Sequence, residues 1–263
     1  MNHPAPAPFD VRLMNAVASA LLVTCGLLVL AASARWLLQN DVFAIQKVVV
    51  RGELSHYSPA TLRTNVAHKL EGNFFTMNLV AVRRAFEGVP WIRSAAVQRE
   101  FPNRLNVVLR EHEAVAYWGP ESGAGLINTQ GEVFEANVAE VELQDSMPRL
   151  MGPAGSSAEV LAMHRLLRPI FALLDMRIEQ LRLASRGGWH VEMNAGAEIA
   201  LGDGTPAEVA ARSERFVRTL TQVTSQYARR AQTLESADLR HADGYAIRLR
   251  GVTTTVDMPA AKK

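Results

Sequence analysis

The chain has 263 residues, with 28 lysines and arginines against 26 aspartates and glutamates for a formal net charge of +2. No block of five or more like charges occurs, which argues against a dedicated nucleic-acid binder with its concentrated basic face. One cysteine, Cys25, excludes a disulfide within the chain and a multi-cysteine metal site, and 48% apolar with 21% charged residues is ordinary globular composition.

Met1 to Pro8 is rich in proline and alanine and is expected to be disordered. Between Arg12 and Arg35 no charged residue occurs, and from Ala16 to Ala34 the chain is almost wholly apolar. Residues 13–38 are long enough to cross a bilayer as a helix, at about 1.5 Å rise per residue. The run lacks the polar face of a core helix, and Trp36 stands where an interfacial anchor belongs. Two readings follow. In one, the segment is an uncleaved anchor with residues 1–12 as a short cytoplasmic tail and the remainder translocated. In the other it is a signal peptide cut near Ala32-Ser33-Ala34. The length of the run and of the residues ahead of it favours the anchor. Arg12 and Arg35 balance, so charge does little to fix orientation.

After this segment, Ile45, Val48 and Val50 lie in a β-branched run closed by Gly52. Ser58-Pro59 opens a helix with Leu62, Val66 and Leu70 at helical spacing, ended by Gly72. Asn78 caps a second helix carrying Leu79, Val82 and Phe86, with Gly88 as its stop. Pro90-Trp91 introduces a strand containing Ala95 and Val97, and Phe101-Pro102-Asn103 makes a turn. Leu105, Val107 and Leu109 then alternate with Asn106, Val108 and Arg110. Strand, helix, helix, strand, strand predicts two helices on one face of a three-stranded sheet.

From Ala114 the pattern changes. Leu126-Ile127 and Val133-Phe134 flank a hairpin at Asn128 to Gly131, and Met147 to Met151 is extended. A helix is predicted from Ser157 to Leu174 with Leu167, Ile170, Phe171 and Leu174 inward. Alternating segments follow at Leu181/Leu183, Trp189/Val191/Met193 and Ile199/Leu201. Thr205-Pro206 opens a helix with Val209, Phe216, Leu220 and Val223 on its apolar side. Strands at Leu234 to Leu239 and Tyr245 to Leu249 flank a turn at Ala242-Asp243-Gly244, and the residues after Gly251 are expected to be loose.

No catalytic constellation emerges. Glu111-His112-Glu113 places its carboxylates on one side of a strand and its imidazole on the other, with no second histidine nearby, and is expected to be a solvated strand end. Ser55-His56 and Ser185 lack a nucleophile context. Gly123-Ala124-Gly125 and Gly202-Asp203-Gly204 read as turns without a phosphate-loop sequel. Cys25 is expected to face lipid or a packed helix. What remains is the last strand: a terminal strand is often a sheet edge, able to accept a partner's strand, and Arg240, Arg248 and Arg250 stand around it.

The order of these parts resembles the bacterial cell-division family FtsQ/DivIB from the apolar segment to Gly251. The likeness rests on Ile45-Gln46-Lys47-Val48-Val49-Val50-Arg51-Gly52, on Pro90-Trp91-Ile92, and on Phe101-Pro102-Asn103-Arg104-Leu105 running to Glu111-His112-Glu113-Ala114-Val115-Ala116. Further on, Glu214-Arg215-Phe216-Val217 and the stretch Asp238-Leu239-Arg240 to Gly244 carry it. The resemblance implies an α+β chain with one N-terminal transmembrane helix. A POTRA domain (β-α-α-β-β) at 43–113 follows, then a mostly antiparallel β domain with two helices at 114–251 and a flexible tail at 252–263. It implies a non-enzymatic divisome scaffold at the septum, single-pass in the inner membrane, with the N-terminus cytoplasmic and the domains periplasmic. No cofactor or metal is implied.

The implied partners are the coiled-coil division proteins FtsB and FtsL, held by strand addition to the last strand, with other divisome proteins recruited through the POTRA domain. Carried over by position, the partner-binding residues are Arg240, His241, Asp243, Gly244, Tyr245, Ala246, Ile247, Arg248 and Leu249. Three positions depart from the family's pattern: His241 stands where an aromatic is common, Leu249 where a tryptophan can close the strand, and Asp203 where a relative uses arginine. Rival readings are a POTRA-bearing outer-membrane assembly or secretion component and a membrane-tethered cell-wall hydrolase. Too few residues follow for the barrel that the first would need.

Overall fold

A computed structural model of the chain describes residues 9–58, 60, 62, 64, 66, 72–120, 125–137, 147–226, 230–241 and 244–251. Helix α1 spans Phe9–Gln39, beginning four residues ahead of the expected 13–38. Its stretch Phe9–Trp36 is the one helix among the described residues long and apolar enough to cross a membrane, and none of its most apolar window is buried. Twenty-eight residues rise about 42 Å, more than the ~30 Å hydrocarbon core needs. The Thr24 hydroxyl in mid-span donates to the Ala20 carbonyl at 2.8 Å, so it enters an apolar phase already satisfied.

The chain divides into two compact units, residues 1–111 and 112–263. In the first, β1 (Lys47–Arg51), β2 (Ile92–Glu100) and β3 (Arg104–Glu111) form a sheet in the order β1-β3-β2. β3 runs parallel to β1 and antiparallel to β2. Ala60, Leu62, Thr64 and Val66 are helical, and the end assigned to that helix at Gly72 follows residues outside those described. Helix α2 (Leu79–Glu87) starts where the sequence places its cap: Asn78 Oδ1 accepts from the Val80 and Ala81 amides at 3.0 and 3.1 Å. Leu62, Val66, Val82 and Phe86 pack on Leu105, Val107 and Leu109, which are the strand residues the alternation sends inward. Gly52 ends β1 at φ +142°, and a Cβ there would collide with the Leu109 carbonyl oxygen.

The end of β3 corrects one expectation. Glu111 is not a solvated strand end: its carboxylate accepts from the Ser55 amide at 2.9 Å and the His56 amide at 3.4 Å, and pairs with His56 Nδ1 at 3.0 Å. The His56 ring lies flat on buried Trp91 with centroids 3.6 Å apart. His112 stacks on Phe134 at 4.1 Å, and its Nδ1 lies 2.9 Å from Asn128 Nδ2. Both groups therefore pin loops. Among the described residues, no group of three or more histidine, cysteine, aspartate or glutamate side chains could hold a metal.

The second unit contains β4 (Ala114–Trp118), β5 (Gly125–Asn128), β6 (Val133–Phe134), β7 (Arg149–Met151), α3 (Ser157–Ala172), β8 (Ile178–Leu183), β9 (Trp189–Met193), β10 (Glu198–Gly202), α4 (Pro206–Gln226), β11 (Leu234–Asp238) and β12 (Ala246–Leu249). They form one sheet in the order β12-β11-β10-β9-β8-β7-β4-β5-β6. Five of its eight neighbouring pairs are antiparallel, and the three parallel ones are β4/β7, β7/β8 and β10/β11. α3 and α4 cover one face, where Leu167, Phe171, Phe216 and Leu220 meet Leu181, Val191, Ile199 and Leu201 in a single core. Thr205 opens α4 with a capping box. Its amide donates to Glu208 Oε2 at 2.8 Å, the Glu208 amide reaches back to Thr205 Oγ1 at 3.4 Å, and Pro206 takes the first helical position.

Candidate partner-binding edge

β12 lies at the end of the nine-stranded sheet, with β11 as its sole neighbour among the described residues. The two run antiparallel, pairing Asp238 with Ala246, Ala237 with Ile247 and Ser236 with Arg248, with an irregularity between Leu234 and Ser236. The Arg250 amide donates to the Thr233 carbonyl at 2.9 Å, so it points toward β11. By strand alternation, Arg248 and Ala246 turn their backbone groups the same way, while Ile247 and Leu249 turn theirs outward. An unpaired row of backbone donors and acceptors is a template for another strand.

β12 is held from its side-chain face. Leu249 is 6% exposed in the core, and Ile247 and Tyr245 pack against that core. The Tyr245 ring meets Phe216 of α4 edge-on at 5.0 Å, and its hydroxyl lies 2.6 Å from Thr219 Oγ1. These residues thus do two things at once: the side chains anchor the strand while the backbone of Ile247 and Leu249 faces out. Gly244, Ala246 and Arg248 are exposed.

The three arginines are already engaged. Arg240, 64% exposed at its side chain, clasps Asp238 with Nε at 2.9 and 3.1 Å from the two carboxylate oxygens and with Nη2 on Oδ2. The Arg240 amide also donates to Asp238 Oδ1 at 3.0 Å. The arginine's hydrogen bonds hold the Asp238 carboxyl down at about 2. Arg248 pairs with Glu235 at 3.5 Å, and Arg250 donates to the Ala195 carbonyl at 2.6 Å. Any carboxylate approaching these arginines would have to share or displace an existing contact.

Behind Arg240 the end of β10 is fixed from α4: Arg212 donates through Nη1 to the Leu201 carbonyl and through Nη2 to the Asp203 carbonyl at 3.1 Å. Gly202, at φ +82°, sits between the two arginines, where a Cβ would lie 2.7 Å from Arg212 Nη1 and 3.2 Å from Arg240 Cγ. The carried-over residues Arg240, His241, Gly244, Tyr245, Ala246, Ile247, Arg248 and Leu249 share this end of the sheet, and Asp243 lies outside the described residues. Sequence reading missed Asp238, Arg212 and Thr219 as supporting groups. The first had a signal, since residues 238 and 240 stand two apart, the spacing that places side chains on one side of an extended chain. Arg212 and Thr219 had none.

β2 lies at one edge of the first unit's sheet. There the Ala95 amide is taken by Glu87 Oε1 at 3.3 Å, and Glu87 pairs with Arg83 at 3.5 Å, a charged side chain blunting the edge.

Comparison with known proteins gives two matches in chain order. Residues 43–112 match the "POTRA domain, FtsQ-type" family, and residues 116–240 match "Cell division protein FtsQ/DivIB, C-terminal". A cell division protein FtsQ from Thiomonas arsenitoxydans is 37% identical over 262 residues, covering 99% of this chain and 93% of that protein. The FtsQ proteins of Burkholderia pseudomallei and Bordetella pertussis are 35% and 34% identical over 97% and 91% of this chain, and over 99% and 92% of their own lengths. The first unit's short sheet and the second unit's long one thus fall on the family's two parts in order, and the chain belongs to the FtsQ/DivIB family.

Proposed function

We propose that the chain is a non-enzymatic cell-division scaffold, anchored by α1 in the inner membrane at the septum with its two units in the periplasm. It captures an extended segment of an FtsB- or FtsL-like partner on the free edge of β12. The observation carrying this reading is the terminal place of β12 together with the outward backbone of Ile247 and Leu249. Backbone pairing supplies affinity, and Arg240 adds a charge-assisted bond to a partner carboxylate by sharing its guanidinium with Asp238. Other division proteins are recruited through the first unit.

Removing the strand from Tyr245 onward is a poor test, because it also strips Leu249 and Tyr245 from the core. Ile247→Pro is cleaner: it deletes one outward N–H while leaving the bonds to β11 in place. In a titration against the partner's extended segment, that variant is expected to lose about 1–3 kcal/mol of binding, roughly 5- to 150-fold. Arg240→Glu is expected to weaken binding without unfolding, since the side chain is exposed. Undiminished affinity in both variants contradicts the assignment.

A further inference from the structure

Four phenylalanines of the first unit gather at one point. Phe43 lies 5.0 Å from Phe75 and 6.4 Å from Phe101, and Phe74 lies 5.2 Å from Phe75 and 5.8 Å from Phe101, centroid to centroid. They are not a core. Phe101 is 71% exposed, Phe75 44% and neighbouring Val42 58%. Three chain segments are tied together to present them. The Phe74 amide donates to the Phe43 carbonyl at 2.8 Å, and the Gln46 amide donates to the Asn103 carbonyl at 3.0 Å. Asn73 Oδ1 accepts from the Phe75 and Thr76 amides at 2.9 and 3.0 Å, fixing the turn that carries Phe74 and Phe75.

Exposed aromatic rings on a soluble surface need an occupant, and the chain itself indicates one. Helix α1 ends at Gln39, so Phe43 follows within four residues, at most about 14 Å of extended chain. Beside the rings, Lys47 and Arg104 are register partners at the start of β1 and β3, both exposed, with Glu100 the paired neighbour of Arg104 on β2. Aromatic rings with flanking cations next to a membrane span match the headgroup–acyl boundary, where aromatics settle and basic residues meet anionic lipids.

We infer that Phe43, Phe74, Phe75 and Phe101 form a membrane-contacting face that seats the first unit on the bilayer α1 crosses, the ligand being the lipid surface itself. The inference rests on reading α1 as a membrane anchor. Its consequence is that the first unit is held against the membrane by a second contact and does not swing freely on its tether.

The test uses the full chain in vesicles of phosphatidylethanolamine and anionic phosphatidylglycerol, with a nitroxide label read by collision with lipid-soluble oxygen and a water-soluble nickel chelate. Native Cys25 reports the span; in a Cys25→Ala background, Thr76→Cys reports the aromatic face and Arg110→Cys, at the far end of β3, reports open water. The Thr76 label is expected to lose nickel accessibility and gain oxygen accessibility relative to the Arg110 label. Adding Phe75→Ser and Phe101→Ser is expected to return it to the aqueous values. Aqueous values at position 76 beside a lipid-buried Cys25 label overturn the inference and leave the anchor standing, whereas an aqueous Cys25 label overturns both. Loss of both collision rates at position 76 means that protein covers the face and overturns the lipid assignment. A Thr76 label unmoved by the serine pair overturns the role given to the phenylalanines.

Discussion

Tyr245 falls among the residues that family resemblance places in partner binding, yet its ring faces α4. The Tyr245→Phe variant separates these roles. It removes the 2.6 Å contact with Thr219 Oγ1 and keeps the edge-on packing on Phe216. Thr219 is not orphaned, because its hydroxyl also reaches the Arg215 and Phe216 carbonyls at 2.9 and 3.2 Å. The cost is therefore that of one ordinary hydrogen bond, about 1 kcal/mol. Tyr245→Ala also loses the ring pair and half-buried apolar surface, about 2–3 kcal/mol in all. Since Tyr245 leads directly into β12, the cost should fall on local opening of that strand. In native-state hydrogen exchange, the Arg248 amide, which points to β11, should exchange about 5-fold faster in the phenylalanine variant and roughly 30- to 150-fold faster in the alanine variant. A Thr219→Ala, Tyr245→Phe double variant should be no worse than the sum of its parts, with a coupling of about 0.5–1.5 kcal/mol. Unchanged exchange at Arg248 in Tyr245→Ala would refute the view that this residue anchors β12.

Acid should act on the second unit in two steps. Burial, then Arg168 and Arg165, lower His164 from 6.5 to about 4. The unfolded chain thus takes up this proton first, and stability present above pH 6.5 is lost as pH falls to about 4, by up to ~3 kcal/mol. Below that, protonation of Asp238 between about pH 4 and 2 releases the Arg240 clasp, a smaller loss because the pair is solvent-screened. His164→Gln should abolish the upper step in denaturation midpoints followed against pH. Glu111→Ala strips the acceptor from the Ser55 and His56 amides at a cost of about 2 kcal/mol, and limited proteolysis should then cut near residues 53–58. Gly202→Ala combines an unfavourable positive φ with displacement of Arg212, about 2 kcal/mol, and should lower the second unit's melting temperature by roughly 4–8 °C in calorimetry.

Local elements were legible because their signals are local. Asn78 announces a helix start by carrying an acceptor where free amides need one, and Leu105, Val107 and Leu109 announce a face by alternation. The pairing of β12 with β11 was also open to inference, since the two strands are close neighbours in sequence. Strand order was not legible: β7 inserts in parallel between β4 and β8, and nothing in Arg149–Met151 encodes its neighbours. The fate of Glu111 was hidden for the same reason, its partners lying 55 and 56 residues back. The intrachain partners of the arginines around β12, namely Asp238, Glu235 and the Ala195 carbonyl, were not legible from charge count alone. Of these only Asp238–Arg240 is close enough in sequence to be seen.

Residue-resolved amide exchange of the chain, with and without the extended partner segment, tests strand capture on β12 most directly. Addition of the segment should slow exchange at the outward amides of Ile247 and Leu249 and leave Arg248, already turned to β11, little changed. Exchange at Ile247 and Leu249 unaltered under saturating partner would contradict strand addition at this edge.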